Sequence, residues 1–143
     1  MAVDAFCVDR HREDFQALVK EGADIVFANE KEITSLYQMN SFEEAAGAAL
    51  NDCEMAVLTR SEAGSVIVAG GKTIEIEAKT VPRVVDLTGA GDLYSAGFLY
   101  GLTHGASLGE CGRLGSLAAA EAISHIGARP ELCLLYTSPS PRD

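Results

Sequence analysis

Hydrophobic residues follow two different patterns in the first part of the chain. Residues 24–28 and 55–59 are short, nearly continuous apolar runs, which are typical of buried strands in a parallel sheet. Residues 9–21, 29 to about 39, and 41 to about 51 instead place apolar side chains at helical spacing. Short apolar runs that alternate with amphipathic stretches predict an α/β arrangement.

The pattern changes in the second part of the chain. Residues 65–69 and 72–78 flank a Gly-Gly pair, which predicts a β-hairpin whose second strand alternates apolar and charged side chains. Two helices are then predicted, from 91 to 103 and from 107 to about 125. The last of these is rich in alanine and glycine, so it can pack closely against its neighbours. The order of elements predicts a layered α/β sandwich with a mainly parallel sheet.

Local signals mark where several of these helices begin and end. Ser41 and Glu44 have the spacing of a capping box, and Ser107 is a candidate cap for the last helix. Gly22 and Gly105 are predicted to end the helices that precede them.

The composition bounds the class of protein. The 143 residues are enough for one domain, and 48% of them are hydrophobic, without a run long enough to span a membrane. The net charge of −10 argues against nucleic-acid binding, which depends on lysine and arginine. The scattered cysteines predict reduced, buried thiols in a cytoplasmic protein; they are Cys7, Cys53, Cys111 and Cys133. Solvated or helix-end roles are predicted for the histidines, His11, His104 and His125.

Both ends of the chain have an unusual appearance. Residues 133–143 break from the preceding helical composition and look like the in-frame translation of a sequencing adapter. A genuine Pro/Ser-rich tail is the alternative. We therefore expect a native segment at 1–132. We interpret Met1 as an internal methionine or as the point where an assembled nucleotide sequence begins.

Residues 84–98 contain the most informative chemistry. A β-branched run leads into a glycine-rich loop, and a helix follows. Gly89 and Gly91 allow close approach of a ligand, and the helix N-terminus favours an anion such as phosphate. Asp92 is then either a general base beside a bound phosphate or only a helix cap, and these residues alone leave both readings open. A dinucleotide-binding fingerprint fits less well because Tyr94 replaces its third glycine, and no Walker A sequence is present.

Two further motifs follow the predicted buried strands. Asn29 and Glu32 share one helix face, where they could hold the waters around Mg²⁺ or simply cap the helix. Thr59, Ser61 and Gly64 form a turn that suits a nucleotide phosphate or ribose, although taken alone it is only a turn. Ligands of open α/β sheets bind at the carboxyl ends of the strands, which is where both motifs are predicted to lie.

Together, Asn29-x-x-Glu32, Thr59-x-Ser61-x-x-Gly64 and Asp86-x-x-Gly89-Ala90-Gly91-Asp92 resemble the C-terminal half of the ribokinase/PfkB carbohydrate kinases. Residues 119–128 look like the last helix and exit loop of that family, and the opening 4–15 is most similar to its bacterial adenosine-kinase-like branch. The resemblance covers roughly residues 2–131. It implies a three-layer sandwich of ribokinase-like type, seen here as its C-terminal half only.

The resemblance implies transfer of the γ-phosphoryl group of ATP to a hydroxymethyl group. Asp92 matches the general base, and the N–H groups of Gly89, Ala90 and Gly91 match the anion hole. Asn29 and Glu32 match the motif that organises Mg²⁺ and the phosphates. The residues that match nucleotide contacts are Thr59, Ser61, Gly64, Gly127 and Ala128. The residues that match part of a cage for a monovalent cation such as K⁺ are Asp86, Thr88 and Gly127.

This sequence departs from the family pattern in three ways. Leu87 stands where threonine is usual, Ser61 stands where many relatives have glycine, and the N-terminal half is absent. An exposed sheet edge and apolar face would make this chain, produced alone, poorly soluble or partly molten and inactive.

The acceptor and the partners stay open at this point. Adenosine or a related nucleoside is the leading acceptor, and a sugar such as ribose or fructose is the alternative. A non-catalytic adenine-nucleotide-binding remnant and a purely structural α/β domain are the non-enzymatic alternatives. We expect a small-molecule partner, no nucleic acid and no membrane. The oligomeric state is open, with a dimer of the full-length protein as one option.

Overall fold

The computed structural model describes residues 5–127 and 129. The chain forms two compact units, of which the first contains Met1–Ser61 with Ser65–Ile74 and the second contains Glu62–Gly64 with Glu75–Asp143. The strands are β1 (Ile25–Asn29), β2 (Met55–Thr59), β3 (Ser65–Ala69) and β4 (Lys72–Ile76). The helices are α1 (Ala5–Arg10), α2 (Arg12–Gly22), α3 (Glu30–Tyr37), α4 (Phe42–Asp52), α5 (Ala90–Thr103) and α6 (Leu108–Ala122), and a short 3₁₀ turn spans Ser61–Ala63.

The described strands form a mixed sheet in the order β1-β2-β3-β4. β1 and β2 run parallel, as their continuous apolar sequences predict, whereas β2 and β3 are antiparallel. The predicted hairpin is confirmed: Gly70 and Gly71 both have positive φ, which the tight two-residue turn between β3 and β4 requires. The charged positions of β4 are exposed and its last residue, Ile76, is buried. One face of this strand is therefore wet, as predicted.

The core of the first unit lies where the helices cover the sheet. The side chains of Ala56 and Leu58 in β2 and of Ile33 in α3 are completely buried. α4 contributes small residues, so it can lie close to its neighbours. Its buried positions are Phe42, Ala45, Ala46 and Ala49.

In the second unit, α5 packs very closely against α6. A Cβ atom added at Gly97 would lie 2.6 Å from the carbonyl oxygen of Leu114, and one added at Gly115 would lie 2.9 Å from that of Tyr94. Phe98, which is fully buried, fills the core beside this contact. The predicted role of small residues in the last helix is thus confirmed.

The single helix predicted over residues 9–21 is wrong, because the chain bends at His11 between α1 and α2. Contacts with α3 hold both sides of the bend. Asp9 accepts a hydrogen bond from the Ser35 hydroxyl, and Arg12 donates through Nε to the Ser35 carbonyl at 2.9 Å. Local spacing carries no sign of these tertiary bonds. Leu18, which we placed on the apolar side, is 57% exposed.

The last helix also ends earlier than predicted, at Ala122 instead of about His125. The carbonyl of Ile123 accepts hydrogen bonds from Val85 N at 2.7 Å and Asp86 N at 3.4 Å. These bonds from a distant loop provide partners for a carbonyl at the end of the helix, so the helix has less to gain from continuing.

The helix caps only partly match the sequence signals. Ser41 accepts a hydrogen bond from Glu44 N, but the described residues lack the return bond of a capping box, from Ser41 N to the Glu44 carboxylate. The Ser41 hydroxyl also donates to Glu43 Oε2 at 3.0 Å. Ser107 caps α6 as predicted and forms a complete capping box with Glu110.

Three predictions concern single side chains or the chain ends. Cys7, Cys53 and Cys111 are free thiols, but only Cys111 is buried, so the prediction of burial is wrong for the other two. Cys133, Ala128 and the predicted adapter segment 133–143 lie outside the described residues. Across the described part of the chain, no helix combines the length and the apolar character needed to cross a bilayer.

Candidate functional site

Two of the predicted motifs meet at the carboxyl edge of the sheet in the first unit. Asn29 is the last residue of β1 and Thr59 is the last residue of β2, and they are register partners across the parallel pair. The chain then turns into α3 after Asn29 and into the Ser61–Ala63 turn after Thr59. This edge is where open α/β sheets bind ligands.

Asn29 and Glu32 form a complete capping box at the start of α3. The Asn29 side chain accepts from Glu32 N at 2.8 Å, and Glu32 Oε2 accepts from Asn29 N at 2.8 Å. The structural role that we weighed for these residues is therefore present. Carbonyl and carboxylate oxygens can accept more than one hydrogen bond, so a capping role is compatible with a magnesium ion that is held through its water ligands. No cluster of three or more acidic, cysteine or histidine side chains suited to direct metal ligation occurs in the described residues.

Ser61 and Gly64 both have backbone conformations that favour glycine. Ser61 has φ +51°, which explains why a glycine is the easier choice at this position. Gly64, which belongs to the second unit, has φ +91°, and a Cβ atom there would lie 2.1 Å from the Ile76 carbonyl oxygen. Packing alone therefore accounts for Gly64.

The sequence analysis did not identify a charged contact beside these motifs. Arg60 follows Thr59 directly. Its Nε atom lies 3.3 Å from Oε2 of Glu30, and its Nη2 atom lies 3.3 Å from Oε1 of the same carboxylate. The Arg60 guanidinium also lies over the Phe42 ring, 4.1 Å from the ring centroid. The available signal was the presence of opposite charges directly after two neighbouring parallel strands.

The glycine-rich loop of the second unit leads into α5. Gly89 is the N-cap with φ +79°, and no side chain caps this helix end. Asp92 is the third residue of the helix and is exposed. Within the described part of this unit, its carboxylate has no hydrogen-bond or ion-pair partner. The alternative in which Asp92 serves as a hydrogen-bonding cap is therefore wrong.

The backbone N–H groups at this helix end differ in their use. Ala90 N donates to the Leu87 carbonyl at 3.3 Å, which closes a turn. Within the same described unit, the N–H groups of Gly91 and Asp92 have no acceptor. A Cβ atom added at Gly91 would have nothing within 4 Å, so the space in front of these groups is open.

Asp86 ties this loop to the segment that follows α6. Its Oδ1 accepts from Thr88 Oγ1 at 2.7 Å and Thr88 N at 3.0 Å, and its Oδ2 accepts from Gly127 N at 3.1 Å. The Thr88 hydroxyl, then the Thr88 and Gly127 N–H groups, lower the pKa of Asp86 to about 2. The structure thus brings together the three residues that the resemblance matches to a cation cage, through N–H groups and a hydroxyl that donate to the Asp86 carboxylate.

Leu87, which stands where the resemblance expects threonine, is 70% exposed, so its own side chain is not part of the packing of this loop. The neighbouring Asp86 is braced by Thr88 and Gly127 instead.

Of the two roles predicted for His125, solvated or at a helix end, the structure supports the helix-end role. Its side chain is only 10% exposed, and Nε2 lies 3.1 Å from Oε1 of the equally buried Glu121. His125 lies two residues before Gly127, which donates to Asp86, and its pairing with Glu121 joins the last turn of α6 to the segment that follows the helix.

The first unit has an α/β sheet with candidate ligand motifs at its carboxyl edge, and the second unit has a glycine-rich helix N-terminus. Both features are typical of α/β proteins that bind phosphate-containing ligands. Residues 3–133 match the family described as "pfkB family carbohydrate kinase". The chain belongs to this family, which confirms the predicted resemblance.

The similar proteins of known structure agree with this family. A probable sugar kinase from Rhizobium etli CFN 42 is 49% identical, with a TM-score of 0.93 over 96% of this chain and 42% of the other. The adenosine kinase from Sinorhizobium meliloti is 47% identical, with the same TM-score and coverage. This likeness confirms the predicted ribokinase-like α/β class and fits the bacterial adenosine-kinase-like branch.

A curated relative shows the same partial coverage. An uncharacterized sugar kinase from Archaeoglobus fulgidus is 33% identical over 124 residues, which are 87% of this chain and 49% of the relative. The chain therefore spans about half the length of its relatives or less.

Proposed function

We propose that this chain is the phosphoryl-transfer part of an ATP-dependent small-molecule kinase. The observation that carries the proposal is the state of Asp92: its carboxylate has no partner among the described residues of its unit and stands at a helix N-terminus with unbonded N–H groups. A helix N-terminus favours a phosphate, whereas a carboxylate repels one. A role in proton removal explains why both occur together.

In the proposed mechanism, Asp92 accepts the proton of the acceptor hydroxyl as that oxygen attacks the γ-phosphorus of ATP. The bond from the γ-phosphorus to the β,γ-bridging oxygen breaks, and ADP leaves. The N–H groups of Gly91 and Asp92 donate to the phosphoryl oxygens, on which charge develops. Gly89, with its positive φ, sets the turn that aims these groups. Asp86 holds the loop through Thr88 and Gly127.

Asn29 and Glu32 would hold the water shell of Mg²⁺, and Thr59 and Ser61 would contact the nucleotide from the neighbouring strand. An ion held there would supply positive charge to offset the negative charge of the transferring phosphate. Asp86 and the carbonyls of Thr88 and Gly127 would hold a monovalent cation. The cation and these three residues would together fix the loop that precedes α5.

Adenosine or a related nucleoside is the proposed acceptor, because the adenosine kinase from S. meliloti is 47% identical to this chain. A sugar is the second candidate, supported by the family description and by the 49% identical probable sugar kinase from R. etli.

A chimera tests the proposal. Residues 1–132 replace the matching part of the S. meliloti adenosine kinase, and phosphorylation of adenosine, ribose and fructose by ATP is measured. We expect turnover with adenosine, and none from the 143-residue chain alone. A folded chimera that binds ATP without any turnover would instead support the non-catalytic nucleotide-binding remnant.

A further inference from the structure

The segments after β1 and β2 are linked by more than their strand pairing. Asn29 and Thr59 end the two strands as register partners, and the backbone bonds of the parallel pair stop there. Beyond this point, the relative position of the two segments depends on side chains. Glu30 and Arg60 are the next residue on each side, and their side chains meet.

The contact is better defined than an ordinary surface ion pair. Isolated exposed pairs contribute little, because solvent screens them and long side chains lose freedom. Here Nε of Arg60 contacts Oε2 of Glu30 and Nη2 contacts Oε1, and the two side chains are 29% and 46% exposed. The Phe42 ring under the guanidinium restricts it further, at 4.1 Å.

The backbone next to Arg60 also needs support. Ser61 has φ +51°, a conformation that an L-residue other than glycine adopts only at a cost in energy. Such a conformation persists where surrounding contacts hold it. Arg60 is joined to Glu30 and Phe42, which lie on two helices, so it anchors the chain directly before Ser61.

We infer that Arg60 is a positioning residue. Its contacts with Glu30 and Phe42 keep the Asn29–Glu32 motif and the Thr59–Ser61 turn at the spacing that a magnesium nucleotide requires. The inference rests on the proposed function, since it assigns both motifs to the nucleotide. Lysine cannot replace this arginine fully, because it lacks the planar fork that contacts two oxygens and stacks on a ring.

The test compares Arg60→Met and Arg60→Lys with Arg12→Met in the chimera. Arg12 is a matched control: it is 25% exposed, pairs with Asp9 in the same unit, and contacts α3 at the Ser35 carbonyl instead of at a residue of either motif. We expect Arg60→Met to raise KM for MgATP about tenfold with kcat within about twofold. Arg60→Lys should give an intermediate KM, and Arg12→Met should leave KM unchanged. An unchanged KM in Arg60→Met, or an equal rise in Arg12→Met, would overturn the inference.

A second measurement decides the matter without turnover. Hydrogen exchange of the Glu32 amide, which donates to Asn29 Oδ1, reports whether the motif is held in place. We expect exchange about tenfold faster in Arg60→Met and unchanged in Arg12→Met. Equal exchange in all three proteins would overturn the role of Arg60. An inactive parent chimera counts against the proposed function alone.

Discussion

Asn29 and Thr59 are register partners at the ends of the parallel strands β1 and β2. Each residue opens one of the two motifs that the resemblance assigns to the nucleotide and its metal ion. Although 29 residues separate them in sequence, their pairing brings the two motifs to one edge of the sheet, where they can act on the same ligand.

The capping and metal roles of Glu32 can be separated by replacing it with glutamine. Glutamine also serves at this position of a capping box, so Glu32→Gln should leave the free energy of unfolding within about 0.5 kcal/mol of the parent chimera. The loss of charge should raise the Mg²⁺ concentration needed for half-maximal rate roughly tenfold. Titration of the rate with Mg²⁺ measures the effect.

Glu110→Gln is the matched control, because Glu110 occupies the same position in the capping box of α6. It should change neither the stability nor the Mg²⁺ dependence. A Mg²⁺ dependence that is equal in both variants and the parent would leave Glu32 as a cap only.

The close contact of α5 and α6 should depend on Gly97. A Cβ atom there would lie 2.6 Å from the Leu114 carbonyl oxygen, so Gly97→Ala must push the helices apart and should cost about 1–3 kcal/mol of unfolding free energy. The same change at Gly109, where a Cβ meets only the end of the Arg113 side chain at 3.6 Å, should stabilise the protein by up to about 1 kcal/mol. Urea unfolding of both variants checks the opposite signs, and equal effects would contradict the packing.

The Asp86 bonds should weaken in acid. The pKa of Asp86 is lowered to about 2 in the fold, against an ordinary value near 3.8. The contribution of its carboxylate to stability is therefore fully present above about pH 4 and is lost as the pH falls towards 2. In Asp86→Asn, the amide cannot accept from both Thr88 and Gly127, so the difference in stability between parent and variant should shrink over this range.

Acid unfolding of the parent chimera and of Asp86→Asn, followed by circular dichroism from pH 6 to pH 2, measures that difference. A difference that stays constant with pH would show that the Asp86 charge does not hold the loop.

Local sequence patterns predicted those elements whose causes are local. β2 was predicted with its observed bounds, since a continuous apolar run leaves few alternatives for a central strand. The Ser107 cap and the Gly70–Gly71 turn follow from single-residue chemistry. The bend at His11 and the early end of α6 could not be predicted in this way, because bonds from Ser35 and Val85, far away in sequence, decide them.

The candidate site shows the same division. The motif residues were identified from their order and spacing together with the resemblance to the PfkB carbohydrate kinases, and the sequence indicated that Asn29 and Thr59 lie at strand ends. The Arg60 contact was missed because an ion pair between residues thirty positions apart requires the register of β1 and β2. The unbonded state of the Asp92 carboxylate was also out of reach, since a first-turn aspartate is an equally ordinary cap.

The most direct test of the account is the turnover of Asp92→Asn in the chimera. Asparagine cannot accept the proton, so kcat should fall by about 10²- to 10⁴-fold. The melting temperature should stay close to that of the parent, because no bond is lost in the described unit. Glu110→Gln, at the third position of α6, should keep full turnover. A kcat for Asp92→Asn within about threefold of the parent would contradict the assignment of Asp92 as the general base.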